Sequence, residues 1–178
     1  MSTGTMIAAA GRLGFTTAQQ MLTDVKPERF ARLPMGEVGA VPTNHPAWVY
    51  GHLGLYGNYV LTLLGDEEGA QAVAAPEEWH PIFGMGSACT DDPDGTTYPG
   101  MATIVEQFDR CHAAALAALE NVREPAVFEA ANPNEQMRDR FPTVGAAATF
   151  MVTTHLALHI GQVSSWRRME GLGSALGF

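Results

Sequence analysis

Apolar residues recur at helical spacing in four long segments of this chain, and this pattern limits the fold more than any other feature of the sequence. A helix with 3.6 residues per turn gathers side chains three and four positions apart on one face, which is buried against neighbouring helices. The apolar–polar alternation of a half-buried strand is not convincing anywhere in the chain. We therefore predict an all-α fold, a four-helix bundle, from the segments 4–25, 43–65, 98–122 and 142–169.

A long crossover, residues 66–100, separates the second predicted helix from the third and is rich in proline and glycine. Crossovers of this length are uncommon within one domain and usually carry function or small elements of their own. A short helix is expected at 67–74. The apolar side chains of Trp79, Phe83 and Met85 predict that the crossover packs against the helices.

Length and charge set the broad class of the protein. A chain of 178 residues is large enough to bury a core and usually folds as one domain, so residues 1–178 are expected to form a single bundle domain. The formal net charge is −9, and Lys26 is the only lysine. Because nucleic-acid binding requires Lys and Arg to neutralise several phosphates, neither a nucleic acid nor an anionic membrane surface is an expected partner.

The remaining sequence signals favour a cytoplasmic protein. No apolar run approaches the roughly 20 residues that span a bilayer, and the first six residues lack the basic segment of a signal peptide. Cys89 and Cys111 have no CxxC spacing. We expect them to be free, unreactive thiols, as is usual inside cells.

Three histidines fall on the inward faces of two predicted helices. His155 and His159 are four residues apart in the fourth helix, so their Cβ atoms lie about 5–6 Å apart on one face. Both imidazoles can then reach one metal ion at about 2.0–2.1 Å. His52 lies in the apolar stripe of the second helix, and bundles build metal sites from side chains on facing helices.

Three imidazoles with an open fourth position are typical of a catalytic metal site, whereas structural zinc normally has four protein ligands. Imidazole suits zinc, nickel, iron and copper, so the ligand set alone does not choose the metal. The spacing also fits histidines that are buried in a core without any metal. Residue spacing by itself leaves both interpretations open.

Two motifs make the sequence similar to a known family. Residues 44–53, Asn-His-Pro-Ala-Trp-Val-Tyr-Gly-His-Leu, resemble the second-helix motif of the DinB-like family. Residues 155–162 resemble its fourth-helix HxxxHxGQ motif, which continues here as Trp-Arg-Arg at 166–168. The segment 82–87, Ile-Phe-Gly-Met-Gly-Ser, is similar to the family's sequence between helices two and three. The resemblance covers essentially the whole chain.

The resemblance implies a bundle with a long crossover, a divalent metal held by His52, His155 and His159, and frequently a homodimer. Zinc or nickel is the favoured metal, with iron or manganese as alternatives. Some members are thiol-dependent transferases or isomerases that use bacillithiol, mycothiol or glutathione, and many others have no established reaction. A low-molecular-weight thiol cofactor is therefore expected from the resemblance alone.

Three further residues are candidates to contact the metal-binding imidazoles or a substrate. Gln162, one turn past His159, could hydrogen-bond a ligand imidazole or serve only for packing or capping. Tyr56 lies one turn past His52. Arg168 could bind an anionic group of a substrate or complement the negative end of its helix dipole.

The other histidines are expected to be bystanders. His112 is expected at the boundary of the third helix face, and His45 and His80 on the solvent side.

These features predict a metal-dependent enzyme that acts on a small molecule, a thiol transferase or a hydrolase. A bound cation would deprotonate a thiol or a water, and the crossover would cover the mouth of the site. The alternative is a non-catalytic metal-binding or stress-related protein in which the metal stabilises the bundle. A bundle used only for interactions, without metal, is the third interpretation.

Overall fold

Helices make up most of residues 1–176, the part of the 178-residue chain that the computed structural model describes. The α-helices are α1 (Thr3–Gln20), α2 (Pro27–Phe30), α3 (Pro46–Tyr56), α4 (Tyr59–Leu63), α5 (Glu67–Ala72), α6 (His80–Phe83), α7 (Met101–Asn121), α8 (Val144–Phe150) and α9 (Leu156–Met169). Short 3₁₀ helices lie at Glu77–Trp79, Pro125–Glu129 and Glu135–Met137, and a π-helical segment lies at Met151–His155. The prediction of an all-α fold is confirmed.

A two-residue hairpin, β1 (Met35–Gly36) and β2 (Gly39–Ala40), pairs antiparallel between α2 and α3, where no strand was predicted. The prediction missed it because a strand of two residues is too short to show alternation.

The first helix is shorter than the predicted segment 4–25. It ends at Gln20, and Asp24 adopts a positive φ of 62°. The buried guanidinium of Arg167 donates hydrogen bonds to the carbonyls of Met21 and Thr23. These carbonyls follow the end of α1, so a distant side chain replaces the next helical turn, which the local sequence could not indicate.

The second predicted helix is in fact two helices, α3 and α4, with a break at Gly57. A Cβ at Gly57 would lie 2.2 Å from Sγ of Cys111, so the glycine lets α7 approach closely. His45 caps α3, because its Nδ1 accepts a hydrogen bond from the N–H of Trp48 at 3.2 Å. Pro46 occupies the first helical position, where its missing N–H costs no hydrogen bond.

The crossover packs against the helices, as predicted, through Trp79 and Phe83, which are both buried. Met85 differs from the prediction, since 88% of it is exposed. The expected short helix at 67–74 is α5, and Asp66 caps it by accepting a hydrogen bond from the N–H of Gly69.

The last helix is continuous over Val144–Met169 and agrees with the predicted segment 142–169. The hydroxyl of Thr143 caps it by accepting a hydrogen bond from the N–H of Ala146 at 3.2 Å. Within its π-helical part, the hydroxyl of Thr153 donates to the carbonyl of Thr149 at 2.6 Å.

By length and composition alone, Val144–Met169 could cross a membrane. The search for a continuous apolar run did not find this helix, because polar residues are scattered among its apolar ones. Core helices meet the same criterion, and this helix packs against α1 and α3. Its composition is therefore weak evidence for a membrane segment.

The long helices contact one another in a closed order. α1 packs against α7, α7 against α3, α3 against α9, and α9 against α1. The buried apolar residues form two clusters along these helices, one around α3 and α9, the other around α4, α8 and the end of α7. The candidate histidines lie on α3 and at the start of α9.

Candidate metal centre

Three histidines from two helical elements converge in the structure. His52 comes from α3, His155 is the last residue of the π-helical segment, and His159 lies one turn into α9. Each offers a ring nitrogen, and these atoms all lie within 4.8 Å of one another. His52 is buried, and the other two are half-buried. Among the described residues, this group is the one whose donor atoms could hold a metal ion.

The crossover fixes the orientation of His52. Its Nδ1 lies 2.8 Å from the carbonyl oxygen of Phe83. Because a carbonyl can only accept, Nδ1 must carry the proton, and Nε2 is left with a lone pair. Metal-binding histidines usually donate their other ring N–H to a carbonyl or carboxylate in this way.

A polar pair fixes the orientation of His159. Oε1 of Gln162 lies 3.1 Å from Nδ1 of His159 and 3.1 Å from Nδ2 of Asn44. With this oxygen facing both groups, Gln162 accepts from Asn44 and from His159, so Nδ1 of His159 carries the proton. Its Nε2 then presents a lone pair, as His52 does.

The contact between His52 and His155 tests whether a cation fits. Their Nε2 atoms are 3.2 Å apart. Since Nε2 of His52 has no proton, this distance requires a proton on Nε2 of His155 or a cation that both lone pairs share. Two ligands at about 2.0–2.1 Å from a tetrahedral zinc ion would lie about 3.3 Å apart. The spacing of His52 and His155 therefore suits two ligands of one divalent metal, and His159 offers a third nitrogen within 4.8 Å.

The electrostatics of the cluster favour neutral imidazoles. Burial lowers the pKa of His52 to about 4. Burial, followed by repulsion from His159 and His52, lowers the pKa of His155 to about 3. The pKa of His159 is also lowered, again mainly by burial. Because imidazole must be neutral to bind a metal, all three are available as ligands at neutral pH.

Aromatic side chains enclose the imidazoles. Trp48 stacks on His52 with ring centroids 4.9 Å apart, and its Nε1 donates to the hydroxyl of Ser87 at 3.0 Å. The ring of Tyr56 meets His52 edge-on at 5.0 Å. Phe150 lies 5.6 Å from His155. These contacts restrict the ring orientations and keep the surroundings of the cluster of low polarity.

The three residues expected to contact the ligand imidazoles or a substrate lie in different places. Gln162 contacts His159, and Tyr56 contacts His52 while its hydroxyl accepts the N–H of Met85 at 3.0 Å. Arg168 is exposed. It follows His159 by nine residues, or two and a half turns, which places it on the opposite face of α9. The structure therefore does not bring Arg168 to the cluster.

Two of the bystander histidines differ from expectation. His112 is buried instead of lying at a boundary, and its Nδ1 donates to the carbonyl of Phe108 at 3.0 Å. His45 is fully buried instead of facing solvent, because it caps α3 and its Nε2 donates to the carbonyl of Thr90 at 2.9 Å. His80 is exposed, as predicted.

Two partners of the histidines were not predicted from the sequence. The carbonyl of Phe83 belongs to a backbone group, which has no sequence signature of its own. Asn44 was not among the candidate site residues, although it stands in the same motif as His52. That motif is the one sequence signal that could have pointed to Asn44.

Comparison with protein families identifies the class. The family model of the DinB superfamily matches residues 15–163, which include all three histidines and the whole crossover. The chain belongs to the DinB superfamily. Searches of curated proteins and of solved structures give no match.

Proposed function

We propose that this protein is a metal-dependent enzyme that binds one divalent metal ion through His52, His155 and His159. One observation carries the proposal: three ring nitrogens converge within 4.8 Å, while the Nδ1 atoms of His52 and His159 are held by other acceptors. Three protein ligands leave a coordination position open for a substrate or water. Zinc or nickel is the favoured ion, with iron or manganese as alternatives.

We further propose that the long helices form a four-helix bundle around this site. The closed order of contacts between α1, α7, α3 and α9 supports it. In such a bundle, α3 and α9 would be facing neighbours that supply the ligands, which is the usual way in which bundles build metal sites.

A cation at this site would supply a nucleophile at neutral pH by lowering the pKa of a thiol or a water. The chain's own residues would position it and shield it. Phe83 and Gln162 fix two imidazoles, and Trp48 and Tyr56 cover His52. We propose transfer of a low-molecular-weight thiol to a small electrophile as the reaction, and the support for the thiol is the family resemblance alone.

Metal analysis and substitution test the binding step. The purified wild-type protein is expected to hold about one divalent ion per chain, and His52→Ala should lose it or bind it at least 100-fold more weakly, since one of three ligands is gone. His80→Ala, at an exposed histidine of α6, is the matched control and should retain the metal. Stoichiometric metal in His52→Ala would show that the three histidines are not the site.

An open coordination position distinguishes an enzyme from a protein whose metal only stabilises the fold. In the Co²⁺-loaded protein, azide or a small thiol should change the visible absorption spectrum if such a position exists. Turnover of electrophiles with low-molecular-weight thiols should then require the metal. A closed site, together with a large fall in Tm on chelation, would favour the non-catalytic alternative, because a ligand bound only to the native state stabilises it.

A further inference from the structure

Asn44 lies outside the three histidines but reaches one of them through a single atom. Its Nδ2 is 3.1 Å from Oε1 of Gln162, and the same Oε1 is 3.1 Å from Nδ1 of His159. Asn44 immediately precedes the cap of α3, whereas Gln162 lies on α9, 118 residues later. The contact therefore joins the two elements that carry the histidines.

The shared atom couples the orientation of one amide to the tautomer of the imidazole. If the oxygen of Gln162 faces the pair, it accepts from Asn44 and from Nδ1–H of His159, and Nε2 keeps a lone pair. If the amide nitrogen faces them, it donates to both, and Nδ1 must accept. The proton of a neutral His159 then sits on Nε2, which cannot bind a metal in that form.

We infer that Asn44 is a positioning residue that selects the metal-binding tautomer of His159 through Gln162. In the structure the Nδ2 donor of Asn44 faces the Gln162 oxygen, and the same oxygen faces Nδ1 of His159. The inference rests on the proposed metal site for its function, but the quantity it predicts is which ring nitrogen of neutral His159 carries the proton in the metal-free protein. It can therefore be measured without any metal.

Two isosteric substitutions should act in opposite directions. Asn44→Asp replaces the donor with an acceptor, so Gln162 must turn its amide nitrogen towards the introduced carboxylate and His159, which moves the imidazole proton to Nε2. Gln162→Glu replaces the amide with a group that only accepts, so it preserves the Nδ1–H tautomer. A residue with a merely structural role would not produce this difference in sign.

Two measurements on the full chain test the inference. Long-range ¹H–¹⁵N NMR of the metal-free protein, at a mildly alkaline pH where imidazoles are neutral, reports the tautomer of His159. Competition of Zn²⁺ with a chelator reports affinity. Asn44→Asp should switch the tautomer and weaken Zn²⁺ binding about 10- to 100-fold, the usual effect of losing an outer partner. Gln162→Glu should keep the wild-type tautomer and bind Zn²⁺ no more weakly.

A matched control separates the tautomer from the added negative charge and from misfolding. Asn134→Asp makes the same chemical change at the exposed cap of the 3₁₀ helix Glu135–Met137 and should alter neither measurement. An acidic residue just before α3 favours its helix dipole, so Asn44→Asp should fold, and an unchanged Tm would confirm this.

The possible results separate this inference from the proposed function. An Nε2–H tautomer in the wild type, an unchanged tautomer or Zn²⁺ affinity in Asn44→Asp, or a switch in Gln162→Glu would each overturn the inference while a wild-type metal site could still stand. The predicted tautomer switch in chains that bind no Zn²⁺ would support the selection of the tautomer and refute the metal site.

Discussion

At the scale of single residues, burial in this protein produces two kinds of histidine. The proton of Nδ1 in His112 is satisfied by the carbonyl of Phe108 in its own helix, and the ring stacks on Phe15 with an interplanar angle of 5°. His52, in contrast, uses a carbonyl from the crossover and turns its other nitrogen towards His155. The first arrangement describes a core histidine, and the second is compatible with a histidine that binds a metal.

The two cysteines are predicted to be inert in the native protein. Burial raises the pKa of Cys89 to about 11 and that of Cys111 to about 12. Since only the thiolate reacts, alkylation at mildly alkaline pH should be at least about a hundredfold slower than for a free cysteine of pKa about 8.5. Mass spectrometry of iodoacetamide-treated protein measures this, and the denatured chain is the control. Rapid labelling of Cys89 in the folded protein would contradict the prediction.

The positions of the three histidines, and Gln162 as a candidate partner of one imidazole, could be predicted from residue spacing and motif, but the partners of His52 and Gln162 could not. Spacing places His155 and His159 on one helix face because an α-helix is periodic. The partner of His52 is a backbone oxygen of Phe83, in a crossover whose path follows no period. The partner of Gln162 is Asn44, and only the tertiary fold brings the two together.

At the scale of elements, Gly57 decides how closely two helices approach. A Cβ there would lie 2.2 Å from Sγ of Cys111, so Gly57→Ala should destabilise the fold by about 1–3 kcal/mol through overpacking. Urea denaturation measures the free energy of unfolding. Cys111→Ala added to Gly57→Ala removes the clashing sulfur and should cost less than the two single changes together.

Gly161→Ala is the matched control for this substitution. A Cβ at Gly161 would meet nothing within 4 Å, so alanine should stabilise α9 by roughly 0.5–1 kcal/mol. If the two glycine variants changed stability in the same direction, the close approach at Gly57 would not be the cause.

The π-helical segment is an element that helical spacing alone did not predict. Ala148, Val152, Leu156 and Ile160 are all buried at successive steps of four. In a regular α-helix each such step drifts by about 40°, so the row would rotate out of the core. The wider turns of the π-helical segment reduce this rotation of the buried row.

At the scale of the whole molecule, the histidines link the stability of the metal-free protein to pH. The folded-state pKa values are about 4 for His52 and His112 and about 3 for His155, against about 6.5 in the unfolded chain. Between these values the unfolded chain binds more protons than the folded one. The stability that comes from keeping these histidines neutral is therefore fully present above about pH 6.5. It is lost as the pH falls towards 4 and 3.

His112 contributes one part of this pH dependence, because it is buried but is not one of the three converging histidines; repulsion from it also lowers the pKa of His155 slightly. Its pKa of about 4 corresponds to a loss of about 3 kcal/mol between neutral and acidic pH. His112→Phe keeps the stack on Phe15 and removes the titrating group, so its free energy of unfolding should fall less steeply below pH 6.5. Urea denaturation of chelator-treated protein from pH 7 to pH 4 measures the slopes. The same substitution at exposed His80 is the control, and parallel curves for wild type and His112→Phe would show that burial of this histidine does not cause the acid sensitivity.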